Sequence, residues 1–221
     1  MILVGFGCSI TEGSNLAEDP SKNYDYNTPY RLQNCWLGQL SQLVGATYLN
    51  LADAGGSNFF ISQQVAQFAN YEMHQYSDHQ IVFCIAWTEI DRTSWWNEHT
   101  FKWVHSKHVE LKIEKVMFRD TFKEWVLHSR GDEASGNQAL TDSAKLFVNS
   151  FCEANNIPII QFNALGNHCI YHKHKNYYLP ESNTQDYLTA EHLLPCRHPN
   201  ELGHEEIATR LHNFIKEHKI V

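Results

Sequence analysis

A serine near the start of the chain and a histidine near its end stand in settings that suit nucleophilic catalysis. Ser9 follows the apolar run 2–7 with only Cys8 between them, so a turn after a buried strand would expose its hydroxyl. His198 stands just before Pro199, which is typical of a helix start, and from there its imidazole could reach back to the strand ends. The two residues predict acyl transfer, with Ser9 as nucleophile and His198 as general base.

Acyl transfer also needs hydrogen-bond donors for the oxyanion that forms on the substrate. The backbone N–H of Ser9 would point to the same place as its hydroxyl. Gly56 is a second candidate donor, since glycine lets another stretch of backbone approach closely. Each signal is weak by itself, because a serine after a strand is more often an ordinary turn residue; the combination is more specific.

The elements that must position these residues follow from hydrophobic periodicity. Strands are predicted at 2–7, 47–51, 81–87 and 157–162, and helices at 32–44, 58–71, 139–154 and from 199 or 200 onward. Strands that alternate with helices indicate an α/β fold with a parallel sheet covered on both faces. The segments 7–10, 54–58, 87–89 and 197–200 would meet at the carboxyl edge of that sheet, where ligands bind.

Length and composition indicate one domain over residues 1–221. The chain has 221 residues, of which 43% are hydrophobic and 19% charged, as in ordinary globular proteins. Segment 91–137 loses clear periodicity and is rich in aromatic residues, so it is predicted to be an inserted, partly helical cap. Its tryptophans could form a substrate platform, pack beneath the cap or make an oligomer interface. These alternatives, including a homo-oligomer, stay open.

Charge and hydropathy exclude several partners. The net charge of −8 would repel a phosphate backbone, so nucleic acid is not an expected partner. No stretch approaches the roughly 18 apolar residues that span a bilayer, and the start of the chain lacks the features of a signal peptide. A cytoplasmic protein that does not bind membranes is the expectation. The six cysteines form no C-x-x-C pair and are expected to be reduced thiols.

Three sequence blocks resemble those of the SGNH (GDSL-like) hydrolases. They are GCSITEG at 7–13, LADAGGSN at 51–58 and HPNELGHEEIA at 198–208. The resemblance implies a three-layer αβα, flavodoxin-like fold and a metal-independent esterase or deacetylase without a cofactor. It places the nucleophile on Ser9, the oxyanion donors on Ser9 and Gly56, and the base on His198. His204, in the last block, would be structural.

The chain departs from the family pattern at three positions. Cys8 replaces the aspartate of the first block, at a position that supports the loop. Thr88 stands where the family's oxyanion asparagine is expected, and its hydroxyl has a shorter reach. Asn58 is an alternative donor. Pro195 replaces the triad acid.

Because Pro195 cannot orient an imidazole, two arrangements remain open. Ser9 and His198 work as a dyad, or a carboxylate such as Asp186 or Glu191 completes a triad.

One histidine cluster offers a competing site. His168, His172 and His174 lie within seven residues and could bind zinc or copper. Solvated side chains in a polar loop are the better explanation, because no convincing further ligand set lies nearby. No metal is therefore expected.

Two functions are consistent with these patterns. The first is a serine esterase that removes an acetyl or short acyl group from a carbohydrate or small molecule. The second is a catalytically weak SGNH-like domain that uses the same cleft to bind a glycan or a protein. Ser9, Gly56 and His198 together favour the first.

Overall fold

A parallel sheet forms the centre of the molecule. The computed structural model describes residues 1–90, 92, 94–97, 102–105, 134–165 and 178–220. The sheet contains β1 (Ile2–Phe6), β2 (Thr47–Asn50), β3 (Ile81–Trp87), β6 (Ile159–Asn163) and β7 (Tyr178–Asn183) in the order β2-β1-β3-β6-β7. All neighbouring pairs are parallel. This is the strand order of flavodoxin-like folds, as predicted.

The described helices follow the strands along the chain. They are α1 (Ser9–Glu12), α2 (Thr28–Asn34), α3 (Trp36–Val44), α4 (Asn58–Gln67), α5 (Ala134–Ala154), α6 (Thr184–Tyr187) and α7 (Glu201–His218). After α4 the chain continues through a π-helical turn, Phe68–Glu72, and a 3-10 turn, Met73–Tyr76. The predicted helix 58–71 is therefore regular α-helix only as far as Gln67.

Two apolar cores lie on opposite faces of the sheet. Side chains alternate along a strand, so β3 supplies Val82, Cys84 and Ala86 to the core beneath α3 and α7. Phe83, Ile85 and Trp87 belong to the other core, beneath α4 and α5. The continuous apolar runs of the sequence thus reflect strands buried on both faces, which confirms the three-layer α/β fold.

The predicted helix 32–44 is two helices. Cys35, with ψ of 159°, is extended and separates α2 from α3. A helix that restarts inside the protein exposes backbone N–H groups that need acceptors. Nδ1 of His204 accepts the hydrogen bond from the Trp36 N–H at 3.1 Å. The break is therefore stabilised by a residue far away in sequence, which local periodicity does not reveal.

The predicted long loop after residue 162 contains an edge strand. Strand β7 pairs with β6 at only two positions, Gln161 with Tyr178 and Asn163 with Asn183, with an irregularity between them. Its sequence is YLPESN, polar and with a proline inside. Proline is tolerated in an edge strand, where one side of the backbone needs no partner. Such a strand lacks the apolar signature of the central ones.

Part of the predicted insertion 91–137 is described. Strands β4 (Ser94–Asn97) and β5 (Lys102–His105) form an antiparallel hairpin, and α5 begins at Ala134. The rest of the insertion lies outside the described residues, as do His168, His172 and His174. The proposed roles of the cap and of the histidine cluster stay predictions. Within the described parts, no helix has the length and apolarity needed to cross a membrane.

Candidate active site

Ser9 lies at the junction between the central strand β1 and the short helix α1. It is the first residue of α1 and 7% exposed. The junction is tight at Gly7, where a Cβ atom would overlap the side chain of Thr11 and lie 3.2 Å from Cβ of Ala86. Only a residue without a side chain allows α1 to turn so close to the sheet. The serine is therefore positioned by packing around it.

His198 is carried by a small hairpin. The N–H of Leu194 donates to the His198 carbonyl at 2.8 Å, and the N–H of Arg197 donates to the Leu194 carbonyl at 2.8 Å. Arg197 has φ of 66°. These features describe a three-residue loop in which a turn is followed by a left-handed residue. Pro195 is the second residue of that turn, a position that proline favours.

The remainder of the histidine block starts helix α7. The Asn200 side chain caps the helix by accepting from the Gly203 N–H at 3.0 Å. A Cβ atom on Gly203 would collide with the carbonyl of His192, so glycine permits this close approach. The Asn200 N–H donates to that same carbonyl at 2.9 Å. The block thus joins the base-bearing hairpin to a fixed helix start.

Ser9 and His198 line the same cleft at the carboxyl edge of the sheet. Its volume is about 940 Å³, and Ala54, Gly55 and Glu89 also contribute to its walls. Clefts of this size bind small molecules and short oligomers. The structure therefore brings together the residues that the sequence predicts as nucleophile and base, although they are far apart in the chain.

The predicted oxyanion donor Gly56 has a hydrogen-bond partner within its own turn. Its N–H donates to the Asp53 carbonyl at 3.1 Å. To donate to a substrate oxyanion, this N–H would have to leave Asp53. The role of Gly56 therefore stays a prediction that requires a shift of the turn on substrate binding.

The other two predicted donors, Asn58 and Thr88, contact each other. The Asn58 side chain accepts from the Thr88 N–H at 2.8 Å and donates to the Thr88 carbonyl at 2.9 Å. It also donates to the hydroxyl of Thr141 at 3.2 Å. Asn58 and Thr88 are buried, and neither is among the described residues that line the Ser9 cleft. The Asn58 amide joins α4 to α5 and to Thr88, the residue that follows β3. An oxyanion role for either residue stays a prediction.

An ionic cluster around the buried Arg31, beside Ser9, was not foreseen from the sequence. On α1, Glu12 lies 3.6 Å from the Arg31 guanidinium and also accepts hydrogen bonds from Tyr24 and from Ser14, the latter at 2.5 Å. Arg31 donates to the Tyr24 hydroxyl at 2.6 Å and to the Thr28 hydroxyl at 2.9 Å. The cluster ties the helix that bears the nucleophile to α2.

The environment of Arg31 differs from that of a cation in a surface ion pair. Arg31 is 4% exposed, and its guanidinium carbon lies 3.5 Å from the centre of the Tyr24 ring. Burial, together with the Glu12 carboxylate, raises the pKa of Tyr24. No sequence signal identifies this cluster, because its members come from three segments without a shared period.

His204 has the structural position that the family resemblance implies. It is fully buried, and its acceptance of the Trp36 N–H identifies Nδ1 as the unprotonated nitrogen. Burial and the nearby His198 lower the pKa of His204 to about 3. His204 is therefore neutral at ordinary pH and holds α7 against α3.

The two carboxylates considered for a triad lie at the surface. Asp186 is exposed, and the exposed Glu191 accepts from the Thr189 hydroxyl at 3.2 Å. Among the described residues, the carboxylates that line the cleft with His198 are Glu12 and Glu89. The choice between a dyad and a triad stays a prediction.

Comparison with known proteins found similarity at the level of structure. No family model matches the chain, and a search of curated proteins found no match. The chain is similar to a structure assigned to the G-D-S-L family of lipolytic proteins from Desulfitobacterium hafniense DCB-2, with 12% identity, a TM-score of 0.40 and coverage of 96% of this chain and 98% of that one.

Two esterase structures are also similar. The acetyl xylan esterase Est2A from Butyrivibrio proteoclasticus has 13% identity and a TM-score of 0.45, over 98% of this chain and 63% of that chain. A two-domain esterase active on acetylated mannans has 15% identity and a TM-score of 0.41, over 99% of this chain and 50% of that chain. These structures come from the G-D-S-L and carbohydrate-esterase classes, and the three sequence blocks of this chain resemble the SGNH (GDSL-like) hydrolases.

Proposed function

We propose that this protein is a serine-dependent ester hydrolase. Its substrate is an acetyl or short acyl ester of a carbohydrate or small molecule, with Ser9 as nucleophile and His198 as general base. The observation that carries the proposal is the shared cleft: a serine at the end of β1 and a histidine on the 194–198 hairpin line one cavity of about 940 Å³. A short acyl group would leave most of this volume for the alcohol portion.

The reaction follows from the chemistry of these two side chains. His198 takes the hydroxyl proton as the Ser9 oxygen attacks the ester carbonyl, and a tetrahedral oxyanion forms. Collapse breaks the bond to the alcohol oxygen, which receives the proton from His198. Water then attacks the acylated Ser9 with His198 again as base, and releases the acid.

The oxyanion would be stabilised first by the backbone N–H of Ser9. This group lies at the first position of α1, where backbone N–H groups have no acceptor within the helix. Gly56 would add a second donor once it leaves Asp53. The loss of one oxyanion donor typically costs about 10²–10³-fold in rate, so we expect a slow esterase.

Labelling with a fluorophosphonate tests the nucleophile without knowledge of the substrate. We expect the wild type to be labelled at Ser9 and to hydrolyse p-nitrophenyl acetate, and Ser9→Ala to do neither. Ser14, a serine that lines the same cleft, provides the control, and Ser14→Ala should still be labelled. A folded Ser9→Ala variant that retains wild-type turnover would contradict the proposal.

A second function is favoured by one observation. The side chain of Asn58 and the N–H of Gly56 already have partners within the protein, as expected if the cleft binds a ligand but does not turn it over. The alternative is a glycan- or protein-binding module. If the wild type neither reacts with fluorophosphonate nor cleaves esters, yet binds acetylated oligosaccharides, this alternative replaces the first proposal.

A further inference from the structure

The described residues that line the Ser9 cleft carry a net charge of opposite sign to that of the chain as a whole. The chain carries a net charge of −8. The described ionic side chains of the cleft, apart from its histidine, are four cations and two carboxylates: Lys22, Arg31, Arg92, Arg197, Glu12 and Glu89. A positive cleft in an acidic protein concentrates field lines and attracts anions.

The two carboxylates are each matched by a buried arginine. Glu12 lies 3.6 Å from Arg31, and Glu89 lies 3.0 Å from Arg92. Among the described residues, Lys22 and Arg197 have no carboxylate within salt-bridge distance. Their side chains are exposed, so the surplus positive charge lies at the solvent side of the cleft, where it can meet a ligand.

Arg197 has the more restricted position of the two. It precedes His198 directly, and its φ of 66° is one that residues other than glycine and asparagine rarely adopt. A hydrogen bond of 2.8 Å from the Arg197 N–H to the Leu194 carbonyl holds this conformation. The turn that carries His198 therefore also fixes the backbone of Arg197, the cationic residue next to it.

We propose that the cleft selects esters that carry an anionic group, such as a carboxylate, sulfate or phosphate, on the alcohol portion. Arg197 recognises the anion, and Lys22 adds a weaker attraction from the loop between α1 and α2. The inference rests on the proposed esterase function and adds the class of substrate. A neutral acetylated molecule would enter the same cleft without this attraction.

A matched pair of acetyl esters tests the selection. In 4-acetoxybenzoate the alcohol portion carries a carboxylate, and in 4-acetoxybenzamide it is neutral. Each kcat/KM is divided by the hydroxide-catalysed rate of the same ester, which removes the difference in intrinsic reactivity. We expect the corrected ratio of anionic to neutral ester to exceed one at low salt and to decline toward one at about 0.5 M NaCl, because salt screens exposed charges.

Arg197→Asn removes the charge and keeps a side chain that tolerates positive φ. We expect this variant to lower the corrected ratio about two- to fivefold, the range for one exposed ionic contact. Lys22→Gln should lower it less. The matched control is Lys216→Gln on α7, an exposed cation that is not among the described residues lining the cleft, and it should leave the ratio at the wild-type value.

Two results separate failure of this inference from failure of the proposed function. If both esters are cleaved at a corrected ratio of one or below, or if Arg197→Asn and Lys216→Gln give the same ratio, the anion selection is wrong and the esterase stands. If neither ester is cleaved, binding of 4-acetoxybenzoate and of the amide by calorimetry decides the question. Equal affinities, or a preference that Arg197→Asn leaves intact, would overturn the inference.

Discussion

Different kinds of interaction hold Ser9 and His198, the two ends of the candidate site, in place. Ser9 follows a central strand with both faces buried, and the short helix that it starts buries Ile10 and Thr11 and is tied to α2 by the Glu12–Arg31 pair. His198 is half-buried on a hairpin with a three-residue loop, positioned by backbone hydrogen bonds and by the start of α7. Packing positions the nucleophile, and turn chemistry positions the base.

The two ends should therefore respond differently to substitution. Overpacking or loss of a buried charge should disturb the nucleophile and lower stability together, because the same contacts serve both. At the base end, changes of side chain can alter chemistry while the core stays intact.

Removal of the base should have the largest effect. We expect His198→Ala to lower kcat/KM for p-nitrophenyl acetate by about 10²–10⁴-fold, the usual contribution of general acid–base catalysis. Its free energy of unfolding should change little, because His198 is half-buried at the surface hairpin. His79→Ala, at an exposed histidine, is the control. Wild-type activity in a folded His198→Ala protein would remove this residue from the mechanism.

Loss of the carboxylate that pairs with the buried Arg31 should affect the nucleophile end strongly. Glu12→Gln leaves the Arg31 charge buried without its counter-ion, so we expect a loss of up to about 3 kcal/mol in the free energy of unfolding. The activity should fall as well, because Glu12 belongs to the helix that begins at Ser9.

The control for this change is an ion pair of the surface. Glu206→Gln breaks the ion pair between Glu206 and Arg210, whose side chains are 34% and 32% exposed respectively. This change should lower the free energy of unfolding by less than about 1 kcal/mol. Urea denaturation measures both variants. Equal losses would show that the Glu12–Arg31 pair acts as an ordinary surface pair.

Overpacking at the strand–helix junction should come next. In Gly7→Ala the new Cβ atom overlaps the Thr11 side chain, so α1 must shift; we expect a loss of about 1–3 kcal/mol in stability and a lower kcat. Gly45→Ala is the control, since its Cβ atom would meet nothing within 4 Å and only its φ of 65° is unfavourable. That variant should lose stability and keep its specific activity. If Gly7→Ala keeps full kcat, the junction does not position Ser9.

The smallest effect concerns stability at mildly acid pH. The pKa of His204 is lowered to about 3 in the folded protein, so between pH 6.5 and 3 the unfolded chain binds one proton more than the folded one. Stability must therefore fall as the pH falls through this window. From pH 7 to pH 5 this histidine alone should account for about 2 kcal/mol.

His204→Asn reveals this contribution by difference. The variant should be less stable than the wild type at pH 7, because the Trp36 N–H loses its imidazole acceptor, yet its stability should depend less on pH. Urea denaturation at pH 7 and pH 5 measures both. Identical pH dependence in the two proteins would mean that His204 can be protonated without unfolding.

Much of the architecture follows from local pattern. The apolar runs at 2–7 and 81–87 alternate between the two cores, so strands buried on both faces, and with them a parallel sheet, could be read directly. The helix spacing of α5 and α7 was equally plain. Edge strand β7 could not be read in this way, because a strand paired on one side only needs no continuous apolar run.

The candidate site likewise has some features that local sequence predicts and others that it does not. Ser9 and His198 could be named from the sequence, since a strand end, a helix start and the three blocks are local features. Tertiary structure alone decided that both line one cleft, that Asn58 holds the backbone of Thr88, and that Glu12 and Tyr24 contact the buried Arg31. The physical reason is that hydrogen bonds and ion pairs depend on distances in space, and residues 58 and 88, or 36 and 204, meet only when the sheet and its helices have packed.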